Sequence, residues 1–380
     1  MADIFTTDKK FGFGLMRLPL TDPNDEGSID IEQTKKMVDT FIENGFTYFD
    51  TAYMYCKFKS EKAVKEVLTD RYERDKFTLA TKLHASYLKT KEDRDRIFNE
   101  QREKCGVEFF DYYLLHNIGR DHYRIFTELD CFNWLKEKKD AGLIRHMGFS
   151  FHDTAETLDM VLTEHPEMEF VQIQLNYLDW DSESIQSAKC LEVCRKHGKP
   201  VIVMEPVKGG VLAGGLPVGA KDIFEKLRPD MPIPSWGYRF AASREGVRLV
   251  LSGMSSIEQM NENMTFMKDF KPLDAEEENA VKDAVKIISS SIAVPCTGCS
   301  YCTPGCPMNI PIPKYFSLYN AEVLEPDTKS WTAQEIFYGR LTDSFGKASD
   351  CIACGQCEGI CPQHIHIIDK LKEVAARFED

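Results

Sequence analysis

Eight of the thirteen cysteines stand in two runs of identical spacing near the end of the chain. Each run reads C-x2-C-x2-C-x3-C-P. The runs are Cys296, Cys299, Cys302 and Cys306, and Cys351, Cys354, Cys357 and Cys361. Three cysteines on closely spaced turns can hold one side of an iron–sulfur cube, but the fourth ligand must come from elsewhere. Zinc sites and disulfide frameworks generally use other spacings. The runs therefore predict two [4Fe–4S] clusters.

The assignment of ligands follows the rule for two-cluster ferredoxins, in which the fourth cysteine of each run binds the other cluster. The predicted ligands of cluster I are Cys296, Cys299, Cys302 and Cys361. The predicted ligands of cluster II are Cys351, Cys354, Cys357 and Cys306. The other cysteines are expected to be mostly buried small apolar side chains, namely Cys56, Cys105, Cys131, Cys190 and Cys194.

The length, net charge and apolar content of the chain exclude several classes of protein. A chain of 380 residues accommodates one large domain and one small one. The net charge of -14 argues against nucleic acid and anionic membranes as partners. No apolar stretch reaches the roughly 18 residues that a transmembrane helix needs, and the polar segment Met1–Lys10 does not resemble a signal peptide. These features, with cysteines assigned to metal rather than to disulfides, predict a cytoplasmic protein.

The elements that must position these groups alternate along the first 270 or so residues. Short apolar segments alternate with longer amphipathic ones, which predicts an α/β fold, a (β/α)8 TIM barrel. The predicted strands are Gly14–Leu18, Thr47–Thr51, Phe77–Lys82, Tyr112–His116, His146–Ser150, Phe170–Asn176, Val201–Glu205 and Arg248–Gly253. A doubly wound open sheet is the alternative, but the chain lacks a G-x-G-x-x-G turn after an early strand.

Other segments complete the predicted architecture. Phe5–Phe13 is expected to form a hairpin that closes the barrel floor, and the Gly- and Pro-rich stretch Lys208–Trp236 is expected to be a binding loop or lid. The barrel is predicted to span residues 1–273, and a small, mainly α-helical dicluster ferredoxin domain is predicted to span 274–380. The helices expected in that second domain are Asp274–Ser290, Lys314–Glu322, Thr332–Thr342 and His366–Phe378.

Four polar residues occur where predicted barrel strands end: Asp50, Tyr55, Lys82 and His116. Singly, each has an ordinary explanation, such as a cap, a surface lysine or a core histidine. Catalytic groups of these barrels lie at the C-terminal ends of the strands. Because the four follow one another on strands two to four, we interpret them together as a catalytic group.

The sequence around these positions resembles the aldo-keto reductases. The matching segments are Phe49-Asp50-Thr51-Ala52-x-x-Tyr55, Ser60-Glu61, Thr81-Lys82, Leu114-Leu115-His116, Gly142-Leu143-Ile144-Arg145, Gly148-Phe149-Ser150, Gln172, Pro206 to Gly210 and Glu262-Asn263. The resemblance covers about residues 11–263. The part that follows resembles the subgroup of aldo-keto reductases with a C-terminal ferredoxin-type domain.

This resemblance implies an activity and four roles. The reaction would be the reversible reduction of an aldehyde or ketone to an alcohol by hydride from NADH or NADPH, with a small carbonyl compound or alcohol as substrate. Tyr55 would donate the proton, Lys82 would lower the pKa of Tyr55, and Asp50 would hold Lys82. His116 would orient the carbonyl and share its developing charge.

The resemblance also implies a nicotinamide dinucleotide lying over the barrel top. The candidate cofactor-binding residues are Met16, Arg17, Ser150, Gln172, Met204, Pro206, Lys208, Gly209, Gly210, Ser252, Gly253, Ser255, Gln259, Glu262 and Asn263. Ser150 and Gln172 would contact the carboxamide. Lys208 to Gly210 and the Ser252–Ser255 turn would hold the phosphates, and Glu262 and Asn263 the adenine.

The sequence departs from the family pattern at three positions. Phe151 stands where an asparagine is common, Met204 where an aromatic residue stacks on the nicotinamide, and Gln259 where an arginine binds the 2′-phosphate of NADP. The preference for NAD or NADP therefore stays open.

The nicotinamide and the iron–sulfur clusters expected in this chain transfer different numbers of electrons. Nicotinamides transfer two electrons as hydride, whereas cubane clusters pass one at a time, and a flavin is the usual group between them. Three interpretations remain. The clusters only brace the tail of an ordinary reductase, or a flavin at the barrel mouth exchanges electrons with them, or the chain is an electron carrier with a non-catalytic barrel. A redox partner protein such as a ferredoxin is expected for the last two.

Overall fold

Eight parallel strands close into a barrel in chain order, as the sequence predicts. The computed structural model describes residues 5, 9–23, 25–182, 185–323 and 333–379. The strands are β1 Phe11–Gly14, β2 Tyr48–Asp50, β3 Thr78–His84, β4 Phe110–Ile118, β5 Ile144–Phe151, β6 Phe170–Gln174, β7 Val201–Met204 and β8 Val247–Gly253. β1 pairs with both β2 and β8, which closes the ring.

The barrel interior is filled by every second side chain of its strands, because successive strand residues point to opposite faces. One buried cluster gathers these inward residues with Phe5. The Phe5 ring stacks on Tyr112 at 5.5 Å between centroids and meets Phe170 edge-on at 6.4 Å. Phe5 therefore takes part in filling the barrel core, although it precedes the first strand.

Two predictions for the start of the chain were wrong. The first strand is Phe11–Gly14 rather than Gly14–Leu18, and it pairs parallel to both neighbours, so Phe11–Phe13 is not part of a hairpin. Residues 6–8 of the predicted hairpin lie outside the described residues. The reason is local: in Phe-Gly-Phe-Gly the period-two pattern is carried by only two side chains, too few to mark the strand.

Helices follow the strands along the chain. They are α1 Ile31–Glu43, α2 Tyr55–Phe58, α3 Ser60–Val64, α4 Glu92–Cys105, α5 Arg120–Glu128, α6 Cys131–Asp140, α7 Ala155–Glu164 and α8 Ser187–Lys196. The next is α9 Val211–Gly214, followed by α10 Val218–Leu227, α11 Ile233–Ser243 and α12 Ile257–Met267. The five cysteines outside the two runs are buried, as predicted.

The chain forms two compact units. Unit 1, which contains the barrel strands, comprises Met1–Asp181, Gln186–Pro206 and Pro234–Asp274, and unit 2 comprises Ser182–Ile185, Val207–Ile233 and Ala275–Asp380. The boundary after residue 273 stays a prediction. None of the described helices is long and apolar enough to cross a membrane.

Unit 2 is mainly helical in its described part, as predicted. Its helices after the barrel are α13 Ala275–Ser291, α14 Ile312–Val323, α15 Ala333–Thr342, α16 Gln356–Gly359 and α17 Ile367–Phe378. Residues of α14 and α17 form its buried core together with Cys302 and Cys357. The cysteines thus belong to the packing core of this small unit. Residue 332, where a helix was predicted to begin, lies outside the described residues.

The predicted loop or lid at Lys208–Trp236 was wrong, because most of this stretch is helical. It holds α9, α10 and the start of α11. Pro217 is the N-cap of α10, and Pro234 lies in the first turn of α11. Proline is well tolerated at these positions, since its missing N–H has no partner there anyway. Pro217 and Pro234, two of the residues that suggested a loop, therefore stand at helix starts.

Candidate active site and cysteine clusters

A buried lysine links three of the four candidate catalytic residues. The Nζ of Lys82 donates to Asp50 Oδ1 at 2.5 Å and to the Thr51 carbonyl at 2.8 Å. It also lies 3.3 Å from the hydroxyl of Tyr55. Lys82 and Asp50 are almost fully buried, so each charge depends on the other for stabilisation.

The strands explain this convergence. Asp50 ends β2, and Lys82 and His116 lie two residues before the ends of β3 and β4, slightly deeper than the sequence suggested. All three are inward-facing positions near the C-terminal ends of adjacent strands. The structure therefore brings the predicted group together at one end of the barrel.

The pKa of Tyr55 is shifted in the direction opposite to the one expected. Burial raises the pKa of Tyr55 well above its usual value, and the carboxylates of Asp50 and Glu205 raise it further. The sequence predicted a lowered pKa at Tyr55, whereas the net shift in this structure is upward. Burial is the largest influence, and the carboxylates of Asp50 and Glu205 act in the same direction. Asp50 also pairs with the Lys82 ammonium at 2.5 Å. Tyr55 is therefore held in its protonated form, the form that donates a proton.

His116 completes the group on the other side of Tyr55. The two rings meet edge to face with centroids 5.9 Å apart. Burial, followed by repulsion from His84 and Lys82, lowers the pKa of His116 well below its usual value. His116 is thus a neutral hydrogen-bonding group at this site, not a cation.

The sequence analysis missed His84, whose ring lies 5.0 Å from that of His116. The signal was available: His84 follows Lys82 by two residues, so both point into the barrel from β3. Burial, then repulsion from His122 and His152, lowers the pKa of His84 to about 3. His84 therefore adds polar but uncharged surface beside His116.

The backbone around the site adopts left-handed conformations. Cys56, Lys57 and Phe58, directly after Tyr55, have φ of 50°, 51° and 65°. Asn117 and Glu205, directly after β-strand residues of the site, have φ of 59° and 58°. Such conformations are unfavourable for residues other than glycine and tend to occur at functional sites.

Two predicted cofactor residues lie beside the catalytic group. Gln172 Nε2 donates to Asp50 Oδ2 at 3.3 Å, and Ser150 Oγ accepts the Asn117 N–H at 2.8 Å. Both side chains are buried. They are therefore held in place next to Asp50 and His116, where the resemblance puts the nicotinamide end of the cofactor.

A second group of predicted cofactor residues meets at the end of β8. Ser252 Oγ is 2.6 Å from the Tyr238 hydroxyl and accepts from Asn263 Nδ2 at 3.2 Å. Ser255 Oγ donates to the Arg17 carbonyl at 2.8 Å, and its N–H donates to Gln259 Oε1 at 2.8 Å. The structure thus joins the loop after β1 to the start of α12.

The remaining candidate cofactor-binding residues of the barrel differ in their exposure. Gly253 and Glu262 are exposed, Met16 and Met204 are half-buried, and Pro206 is buried. Roles of these residues in cofactor binding stay predictions. Lys208, Gly209 and Gly210 belong to unit 2, whereas the other candidates belong to unit 1.

A buried carboxyl group supports the strand that carries Lys82. Glu61 Oε1 accepts hydrogen bonds from Thr81 Oγ1 at 2.7 Å and from Gln101 Nε2 at 2.6 Å. Gln101 Nε2 also donates to the Lys82 carbonyl at 3.0 Å. Burial, only partly offset by these hydrogen bonds, raises the pKa of Glu61 to about 7.

This raised pKa predicts a pH-dependent stability. The folded state holds the Glu61 proton more tightly than the unfolded state. The contribution of this proton to the free energy of unfolding is therefore complete below pH 4.5 and is lost as the pH rises through about 7. The side chain of a Glu61→Gln variant cannot ionise. The free energy of unfolding of this variant, relative to that of the native protein, should therefore increase by up to about 1.4 kcal/mol per pH unit in this window. The measurement is the difference in thermal unfolding midpoint between the two proteins from pH 5 to pH 8.

Glu100→Gln is the matched control. Glu100 is only partly buried, and hydrogen bonds with Lys104 and Tyr53 hold its pKa below the usual value despite that burial. Its removal should therefore not produce a gain that grows with pH. A midpoint difference for Glu61→Gln that stays constant from pH 5 to pH 8 would show that Glu61 is ionised in the folded protein.

The cysteines of unit 2 gather in two separate groups. Cys296, Cys299, Cys302 and Cys361 line one cavity of about 320 Å³. Cys351, Cys354, Cys357 and Cys306 line another of about 330 Å³. Both volumes include solvent at the mouth. These are the crossed sets that the sequence analysis assigned to clusters I and II, and we call the two cavities the cluster I site and the cluster II site.

The cluster I site has the chemistry of a thiolate cage. Burial, followed by repulsion from neighbouring Cys299, Cys296 and Cys361, raises the pKa of Cys302 to about 12. Thiols that disfavour one another's ionisation in this way need a cationic metal centre to be stable as thiolates. Apolar side chains such as Ile312 and Phe316 line the rest of the cavity. The residues therefore fit an iron–sulfur cluster.

The cluster II site is more open. Cys357 is buried, but Cys354 and the neighbouring Ile352 are exposed. Burial, then Glu358 and Cys351, raises the pKa of Cys357 to about 11. All four cysteines again line one cavity, with Ile310 and Leu371 among its apolar walls. Within unit 2, cluster II would have the more direct contact with solvent.

Comparison with known families matches both parts of the chain. Residues 10–286 match the model of the aldo/keto reductase family. Residues 295–366 match the model of the 4Fe-4S dicluster domain. The first match covers well over half of the chain, and the second contains both cysteine runs.

Individual relatives are distant. An uncharacterized oxidoreductase of Bacillus subtilis is 24% identical over 269 residues, which is 62% of this chain and 83% of the relative. The 9,11-endoperoxide prostaglandin H2 reductase of Trypanosoma cruzi is 24% identical over 186 residues, 48% of this chain and 59% of the relative.

Among solved structures, an aldo-keto reductase from Klebsiella pneumoniae in complex with NADPH has a TM-score of 0.58 at 20% identity. The match covers 73% of this chain and 95% of that one. An aldo-keto reductase from Bacillus halodurans has a TM-score of 0.56 at 23% identity, covering 72% and 91%. At such identities the likeness shows the barrel fold alone.

Proposed function

The chain belongs to the aldo/keto reductase family, and from that premise we propose that it reduces a small aldehyde or ketone to an alcohol, reversibly, with NADH or NADPH. The observation that carries the proposal is the position of Lys82 Nζ between Asp50 and the Tyr55 hydroxyl. A structural salt bridge alone would not require a tyrosine hydroxyl and a neutral histidine beside it at the C-terminal ends of the strands. The 4Fe-4S dicluster domain adds iron–sulfur chemistry to this oxidoreductase.

When bound, NADH or NADPH would supply the hydride that the carbonyl carbon accepts. Tyr55 donates its phenolic proton to the carbonyl oxygen, and its raised pKa keeps that proton available across the physiological range. His116, neutral at these pH values, hydrogen-bonds the same oxygen and sets its direction. In the reverse direction, Tyr55 as phenolate would take the proton of the alcohol.

Lys82 and Asp50 act through Tyr55 in this proposal. When Tyr55 has given up its proton, the ammonium 3.3 Å away stabilises the phenolate. Asp50 holds the ammonium in place, and Gln172 in turn contacts Asp50. The two charged residues therefore position and stabilise, while Tyr55 transfers the proton.

The nicotinamide cofactor is proposed on two grounds. The Klebsiella pneumoniae reductase with this fold was solved with NADPH, and Ser150 and Gln172 here are buried next to the catalytic group. A flavin at the same place remains the alternative.

The proposal is tested by assaying anaerobically purified, cluster-loaded protein with a panel of aldehydes and ketones. Oxidation of NADH or NADPH that is coupled to alcohol formation, one mole for one mole, is the expected result. The same preparation is then denatured, and the released small molecules are identified by absorbance and mass. No turnover with either nucleotide, together with near-stoichiometric flavin, would replace this proposal with the flavin-linked one.

A further inference from the structure

Lys208 lies in a place that the resemblance to aldo-keto reductases does not lead one to expect. It follows β7 by four residues, where the phosphates of a dinucleotide were predicted to bind. Its side chain is instead buried in unit 2 with 1% exposure. There its Nζ donates to Gln363 Oε1 at 2.8 Å. Gln363 stands two residues after Cys361, a ligand of cluster I, and lines the cluster I site.

The next residue fixes the same segment to the same site. Gly209 has φ of 65° and packs so closely on Thr297 that a Cβ would lie 2.2 Å from the Thr297 carbonyl oxygen. Thr297 follows Cys296 directly and also lines the cluster I site. Lys208 and Gly209 are thus in contact with residues next to two different cluster I ligands.

We propose that Lys208 is a redox-tuning residue, whose ammonium group makes cluster I easier to reduce. The inference rests on the proposal that Cys296, Cys299, Cys302 and Cys361 ligate a [4Fe–4S] cluster. It assigns Lys208 a role in electron transfer within unit 2 in place of the phosphate binding that the resemblance implied.

The reduction of cluster I involves a single electron. Reduction adds one electron and no proton, taking the four-iron core from 2+ to 1+ and making the cluster with its four thiolates more negative by one charge. A nearby cation stabilises the reduced form more than the oxidised form, and it does so more strongly in a buried, weakly screened place. Lys208 meets both conditions because it is buried and adjacent to the site.

The Lys208 ammonium lies one hydrogen bond away from a side chain that lines the cluster I site, since Gln363 Oε1 accepts from its Nζ at 2.8 Å. The cluster II site has a different lysine environment. Lys372 acts on Cys351 only from an exposed position and is paired with Asp369 at 2.8 Å. Water and Asp369 screen that charge, so the two sites differ in electrostatic support.

The test is a redox titration of the full-length, cluster-loaded protein, followed by electron paramagnetic resonance. The signal of cluster I is assigned as the one absent from a Cys302→Ser variant. A Lys208→Met variant should shift the oxidised-to-reduced equilibrium of cluster I by about tenfold or more toward the oxidised form, and tenfold corresponds to about 59 mV for one electron. The potential of cluster II should not move, and Lys208→Arg should retain most of the native potential of cluster I.

Two further variants separate tuning from structural support. Lys372→Gln removes the exposed lysine near cluster II and should leave both potentials unchanged. Gln363→Glu leaves Lys208 present and adds a carboxylate that cancels its charge, so it should lower the potential of cluster I in the same direction as Lys208→Met. If Lys208→Met fails to retain iron, Gln363→Glu decides the question.

The possible failures are distinguishable. Native protein without iron would overturn the proposed clusters themselves. Clusters that are present and a cluster I potential unchanged by both Lys208→Met and Gln363→Glu would overturn the tuning role alone. Equal shifts of both clusters in Lys208→Met would also overturn it, because they would indicate a general rearrangement of unit 2.

Discussion

A Tyr55→Phe variant is expected to lose carbonyl reduction by a factor of about 10² to 10⁴, the usual contribution of a positioned general acid. The substitution removes only the hydroxyl that lies 3.3 Å from Lys82 Nζ. The ring and its edge-to-face packing on His116 remain, so folding and cluster content should be unchanged. Steady-state rates and iron content, measured on the same preparation, check both halves of this expectation.

Tyr53→Phe is the matched control, since Tyr53 is two residues away and its hydroxyl donates to Glu100 at 3.0 Å rather than to the catalytic group. Its activity should be close to native. Because the pKa of Tyr55 is raised and that of His116 is lowered, neither residue should ionise between about pH 6 and 9, and the native rate of reduction should show no step from them. Full activity in Tyr55→Phe would exclude the proposed proton transfer.

A Cys306→Ser variant is expected to lose cluster II and to keep cluster I, although Cys306 belongs to the first run in sequence. Cys306 lines the same cavity as the first three cysteines of the second run. Iron should fall from about eight to about four per chain, since each cubane holds four. The electron paramagnetic resonance signal that disappears should be the one also lost in Cys354→Ser.

The reciprocal variant sharpens the result. Cys361→Ser should remove cluster I, because Cys361 lines the cavity of Cys296, Cys299 and Cys302. Cys190→Ser, at a buried cysteine of unit 1, should leave the iron content unchanged. If Cys306→Ser instead removed the signal that Cys302→Ser removes, each run would hold its own cluster and the crossed arrangement would be wrong.

Much of the barrel could be predicted because its strands are mainly apolar runs with a few polar residues, several of them near the C-terminal ends. Asp50, Lys82 and His116 stand out for that reason, and period-two alternation along β3 also pointed to His84. The cysteine sets could be predicted because ligand spacing is local and the crossing rule is general. In both cases the pattern is imposed by a short stretch of backbone.

What the sequence could not predict depends on residues brought together from distant positions. The pKa of Tyr55 is raised partly by Glu205, which comes from the end of β7. Lys208 matches a phosphate-binding position in sequence, yet it is buried against Gln363, 155 residues later. Proline is common both in loops and in the first turn of a helix, so the prolines of residues 208–236 do not distinguish the two. Only the tertiary fold decides such cases.

The division of unit 2 into separated segments has a consequence for how the protein is made. Val207–Ile233 is synthesised before the last strand of the barrel, whereas its partners in Ala275–Asp380 follow afterwards. At about 5–20 residues per second, roughly several seconds of translation separate the two. During that interval α10 lacks α13, whose Glu277 pairs with Arg228, and Lys208 lacks Gln363. Newly made chains therefore carry an unpartnered segment in the middle of the sequence, where chaperones and proteases would act first, until iron–sulfur assembly can begin on the completed C-terminal part.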